Sequence, residues 1–138
     1  MEYAHAVEAF DAFLIDAAGE ADLVTRHQSF TMVEGVLRAF RRRLSVGDAI
    51  AFAQVLPPLV RALFVSNWSP SAVPEPFGTR AEMTADVKAL RPNHNLSPDT
   101  AIANVAAALR RHVNEAEFDA ALARLGPEAQ AFWAKAPG

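Results

Sequence analysis

The chain has 138 residues, enough for one domain, and a net charge of −3. The absence of cysteine excludes disulfides, thiolate metal sites and cysteine nucleophiles, and the mild acidic balance argues against a dedicated nucleic-acid binder, whose phosphate contacts come with a basic surplus. Alanine supplies 29 residues and arginine outnumbers lysine 11 to 2, a composition that leans towards helix.

Residues 2–18 read as a first helix, with Val7, Phe10, Leu14 and Ala17 on one face and Gly19 as its stop. Thr25 and Gln28 form a capping-box pattern ahead of a second helix whose inward stripe is Phe30, Val33, Leu37, Phe40 and Leu44. Its last turn carries Arg41, Arg42 and Arg43, where cations complement the helix dipole. Ser45 and Asp48 start a third helix, with Ile50, Ala53 and Leu56 inward. Leu56-Pro57-Pro58 ends it, because proline disfavours helical geometry in the residue before it, and the prolines open a short fourth helix through Phe64. Pro70, Pro74 and Pro76 forbid regular helix in the connector that follows, which Trp68, Val73 and Phe77 are expected to hold against the core.

The second half uses the same signals. Thr79 and Glu82 form a capping box for a helix to about Leu90, and Pro92 to Asn95 is a loop. Ser97-Pro98 reads as an N-cap and first helical position, leading a stripe of Ile102, Val105, Leu109 and Val113. Asn114 caps a helix with Phe118, Leu122 and Leu125 inward, Gly126-Pro127 breaks it, and a last short helix carries Phe132 and Trp133. No apolar run approaches the ~20 residues of a membrane span, and MEYAHAVEAF lacks the basic start and apolar core of a signal peptide. A soluble, cytoplasmic protein is expected by elimination.

Residues 33–64 align without a gap on residues 102–133, with eight of 32 positions identical, among them Arg41/Arg110, Arg42/Arg111 and Pro58/Pro127. A duplicated helical unit is the expectation. The predicted fold is therefore all-α, a bundle of about eight helices in one domain over residues 1–138. Two related halves, about 2–66 and 79–134, are joined by the connector 67–78. A unit of ~60 residues hides little surface alone, so the two stripes are expected to share one core about an approximate two-fold axis, with Phe40 and Leu109 near it.

The segment LPPLVRALFVSNWSP, with Leu56-Pro57, Arg61, Trp68 and Pro70 at matching spacing and Pro74 further on, resembles a bacterial family known as domain of unknown function 2267. The likeness covers nearly the whole chain. It departs at Val55, where the family often has Gln, and at Gly126, which takes the place of Pro57 in the second half. The resemblance implies a duplicated helical domain of the bacterial cytoplasm and carries no activity, cofactor or site residue.

Candidate chemistry is sparse. Glu2-x-x-His5 is half of a di-iron carboxylate pattern, without a second Glu-x-x-His to complete it. His94 lies in a polar loop, and His112 stands where Arg43 does in the repeat, which assigns it to the surface. Ser29, Ser45 and Ser97 are explained as helix caps, and Glu115 and Glu117 as favourable charge in a first helical turn. No metal, cofactor or catalytic residue is implied. Arg41, Arg42, Arg43, Arg110 and Arg111 occupy matching places, and solvated charge at helix ends accounts for them; their functional reading is a pair of contacts for an anion or an acidic protein surface. The leading expectation is a non-enzymatic module that binds another macromolecule, with a protein partner favoured over nucleic acid and membrane. The alternatives are an apolar-ligand protein with a pocket between the halves, and an enzyme whose site is assembled only by folding. No oligomeric state is implied.

Overall fold

The computed structural model describes residues 3–70 and 73–135, the side chain of Tyr3 excepted. These residues form eight helices and no strand: α1 (Tyr3–Glu20), α2 (Arg26–Arg41), α3 (Val46–Ala53), α4 (Pro58–Val65), α5 (Arg80–Ala89), α6 (Ala101–Arg110), α7 (Glu115–Leu125) and α8 (Pro127–Phe132). The all-α expectation holds.

The local signals explain most of the helix starts. Thr25 and Thr79 each accept from the backbone N–H three residues on, while Gln28 and Glu82 reach back, completing both capping boxes. Ser45 and Asn114 cap α3 and α7. Three expectations need correction. Helix α1 runs through Gly19 and stops only where Asp22 enters the left-handed region at φ 54°. Helix α6 starts at Ala101, not Pro98, because Ser97 is drawn into hydrogen bonds from its backbone N–H and its hydroxyl to Asn95 Oδ1. Ser29 is no cap: it is buried within α2, and its hydroxyl donates to the carbonyl of Leu14 at 2.6 Å, tying α2 to α1.

Helices α2 and α6 form the centre. The stripes Val33, Leu37, Phe40, Leu44 and Ile102, Ala106, Leu109 are buried, with Val113 half-buried. Helix α2 is buried around most of its circumference and touches α1, α4, α5 and α6. Its closest partner is α5: a Cβ added at Gly35 would lie 2.8 Å from the carbonyl oxygen of Val87, so only glycine permits this approach. Helix α1 packs extensively on α6 as well as on α2. A single buried cluster spans all eight helices. Its middle is aromatic: Phe40 lies 4.7 Å from Phe52 in a T-shaped contact and 4.9 Å from Phe132, and Phe52 stacks on Trp133 at 5.6 Å.

Some inward assignments are reversed. Val7 and Ile50 are exposed, and Phe13 and Phe52 are buried instead. In the connector Trp68 and Phe77 pack against the core, but Val73 is exposed. The connector is also held by its backbone, the N–H of Glu75 donating to the carbonyl of Arg42 at 2.9 Å. No described helix is long and apolar enough to cross a membrane.

Candidate functional site

The last turn of α2 places Arg41 next to Phe40 and one turn from Leu37 and Leu44, all three buried, so its side chain starts inside the protein. The guanidinium runs beneath Trp68, with Cζ 5.6 Å from the ring centroid. It ends at the C-terminus of α4, where Nη1 donates to the carbonyls of Phe64 at 2.9 Å and Ser66 at 2.7 Å. Nη2 has a 3.5 Å contact to the carbonyl of Asn67. The last carbonyls of a helix lack internal partners and carry partial negative charge, so a cation is well placed there. Burial, and then repulsion from Arg38 and Arg42, hold the pKa of Arg41 below the usual arginine value against the opposing pull of Glu34. Among the described residues no carboxylate lies within ion-pair distance of Arg41.

Arg110 occupies the matching place and differs in its counter-ions. Its Nε donates to the carbonyl of Trp133 at 3.0 Å, and Cζ lies 5.2 Å from the ring centroid of Phe118. Its Nη1 donates to Glu115 at 3.1 Å and Asp119 at 2.9 Å. The Glu115 carboxyl is held below its ordinary range by hydrogen bonds from Lys135 and Arg110. Arg41 and Arg110 are each 8 % exposed, so their assignment to solvated helix ends is overturned: each caps the carbonyl of a buried aromatic, Phe64 or Trp133.

The remaining basic residues divide similarly. Arg43 is half-buried with its side chain only 5 % exposed, donating to the carbonyl of Ala39 and to Asp86, both at 2.6 Å. Arg42 is 45 % exposed, with Nε 3.7 Å from Glu75 and Nη1 3.4 Å from Asp86. Arg111 donates to Glu20 at 3.1 Å and lies 3.7 Å from Asp16. His112 is half-buried rather than solvated: Nε2 is 2.6 Å from Asp16 Oδ2, and the ring meets Phe13 edge-on.

Arg41, Arg42, Leu44, Asn67, Trp68 and Glu75 line an open cleft of about 330 Å³ between α2 and the connector. A larger depression of about 520 Å³ on the outer face of α5 brings together Arg80, Lys88 and Asp99, but Lys88 is already paired with Asp99. The connector cleft is the stronger candidate because two guanidiniums there face one loosely held carboxylate. Sequence reasoning missed Asn67 and Glu75 as its walls. No local pattern signals them, because Asn67 meets Arg41 across 26 residues and Glu75 meets Arg42 only through the folded connector.

The other candidates remain scattered. His5, His27 and His94 are exposed, and Glu2 lies outside the described residues. Among the described residues no group of three or more histidines, aspartates and glutamates could hold a metal ion. A comparison with curated proteins finds no match. A family model described as "Uncharacterized conserved protein (DUF2267)" matches residues 10–132, from the first buried aromatic of α1 to the last residue of α8, and the chain belongs to that family.

Proposed function

We propose that this protein is a non-enzymatic, duplicated helical module that binds an acidic segment of a protein partner through the cleft at Arg41, Arg42 and Trp68. The observation that carries the reading is the unequal treatment of two matching arginines. Arg110 has two carboxylates, whereas Arg41 has helix-end carbonyls and an open cleft. A nearly buried cation held by carbonyls and by no carboxylate within ion-pair distance keeps its formal charge uncompensated, and a negative group in the cleft stabilises it.

Support for the duplication comes from paired contacts. Arg41 reaches the carbonyl of Phe64 as Arg110 reaches that of Trp133, each 23 residues on. Asp86 of α5 meets Arg43 at the end of α2, as Asp16 of α1 meets His112 at the end of α6. On this reading each half packs its first helix on the long central helix of the other. A ligand pocket between the halves draws no support, because Phe40, Phe52, Phe118, Phe132 and Trp133 fill that region.

The test is a binding survey with immobilised acidic, neutral and basic peptides and purified protein. Acidic peptides are expected to bind, and Arg42→Glu is expected to remove the binding while leaving the melting temperature nearly unchanged. Equal binding to neutral peptides, or binding that survives Arg42→Glu, overturns the reading.

A further inference from the structure

Taking the binding role proposed above as its basis, we infer that the connector cleft is a carboxylate site at which Glu75 stands in for the ligand in the free protein, and that the partner's acidic side chain displaces it from Arg42. Two guanidiniums line the cleft and one carboxylate answers them. Asp86 lies on the other side of Arg42 and spends its closer contact on Arg43 at 2.6 Å. Arg41 keeps one nitrogen, Nη2, with only the long 3.5 Å contact to Asn67. A second negative charge therefore has two donors to meet.

Glu75 is built to yield. Its carboxylate is 55 % exposed and 3.7 Å from Arg42 Nε, beyond hydrogen-bond length. Its backbone is fixed independently, by the N–H that donates to the Arg42 carbonyl at 2.9 Å. The side chain can turn out to solvent while the connector stays in place. The opposite wall is apolar, made by Trp68 and the buried Leu44. An aliphatic stem carrying a carboxylate fits that combination, the methylenes against Trp68 and the oxygens at the guanidiniums, as a bare phosphate does not. The second half has no such opening: Glu115 and Asp119 are hydrogen-bonded to Arg110, and Glu20 to Arg111. One site per chain results.

Displacing an exposed pair of this kind is worth a factor of about 1.4 to 5 in affinity. The test is fluorescence anisotropy of a dye-labelled peptide of alternating glutamate and leucine, in about 0.15 M salt to damp long-range fields. Its glutamine counterpart serves as control. Wild-type protein is expected to bind the glutamate peptide at least about 10-fold more tightly than the glutamine one, the range of a charge-assisted hydrogen bond. Glu75→Gln should tighten binding about 2- to 5-fold, and Arg42→Gln should weaken it at least about 10-fold. Glu20→Gln makes the same change in net charge at the Arg111 pair, away from the cleft, and should leave affinity unchanged. If wild type binds but Glu75→Gln does not tighten, or Glu20→Gln tightens equally, displacement is overturned while the binding reading stands. If neither wild type nor Glu75→Gln binds, both are overturned. Inorganic phosphate competing far better than acetate overturns the carboxylate assignment.

Discussion

Five arginines among the described residues cap helix C-termini, Arg43 serving α2 through the carbonyl of Ala39, which gives the excess of arginine over lysine a physical basis. Arg41 serves α4, and Arg61 serves the end of α3 through the carbonyls of Ala53 and Leu56. Arg80 and Arg110 converge on the end of α8, at the carbonyls of Ala131, Phe132 and Trp133. A planar fork reaches two carbonyls at once, which a lysine ammonium on a flexible stem does less well. Burial alone depresses the pKa of Arg80, as it leads the causes at Arg41. Neighbouring arginines should therefore respond very differently to the same change. Arg41→Gln leaves buried carbonyls without their donor and is expected to cost about 2–4 kcal/mol, given ~1.5–3 for a hydrogen bond to a charged group plus lost packing. Arg42→Gln removes one exposed pair and one long, half-buried pair and should cost less than about 1 kcal/mol. Urea midpoints of the two variants check this; equal costs would show that Arg41 is not a structural cap.

At the scale of the element, the capping boxes link sequence to acid stability. The Glu82 carboxyl is held below its ordinary range chiefly by the backbone N–H of Thr79 and then by its side chain. Asp99 is held low by Lys88, and Glu115 by Lys135 and Arg110. A carboxyl lowered in the folded state contributes stability that is present above its unfolded value and lost as pH falls through the folded value. The urea midpoint should accordingly hold steady from pH 7 to about pH 5.5 and decline below about pH 4.5. Glu82→Gln should make that acid limb shallower without moving its position at the other carboxyls. Thr79→Ala is expected to cost about 0.5–2 kcal/mol at pH 7, the usual range for an N-cap. A midpoint independent of pH between 5 and 3 would contradict the assignment.

Across the whole molecule, the central fact is how contacts cross between the ends of the chain. Helix α1 packs on α6, α5 packs on α2, and Phe40 of α2 touches Phe132 and Trp133 at the end of α8. Residues 1–78 alone would lack α5 and α6, leaving the close-approach face at Gly35 and much of α1 uncovered. Expressed separately, that fragment is expected to be poorly folded or self-associating, while the full chain melts in one cooperative transition. Size-exclusion chromatography and thermal melting test this. A monomeric fragment with a sharp melt would mean independent halves and remove the shared core.

Thr25 with Gln28, Ser45, Thr79 with Glu82, and Asn114 were legible because an N-cap needs only residues three apart. Pro57-Pro58 and Gly126-Pro127 were legible as breaks for the same reason, and Gly126 does adopt φ 111°. The two central stripes were legible from their period. The inward face of α3 was not, because both Ile50 and Phe52 are apolar and only the neighbouring helix chooses between them. The candidate site was least legible of all. Its five arginines could be named, but their sequence positions left burial and counter-ions open. Arg41 meets its carbonyls 23 to 26 residues away, Arg43 meets Asp86 across 43, and His112 meets Asp16 across 96. By itself the sequence determined the helices and most of their caps and breaks, which depend on local geometry; Gly19, Ser29 and Ser97 are the exceptions. Which cation is neutralised and which is left facing a cleft was decided only when tertiary packing brought distant carbonyls and carboxylates to the same helix ends.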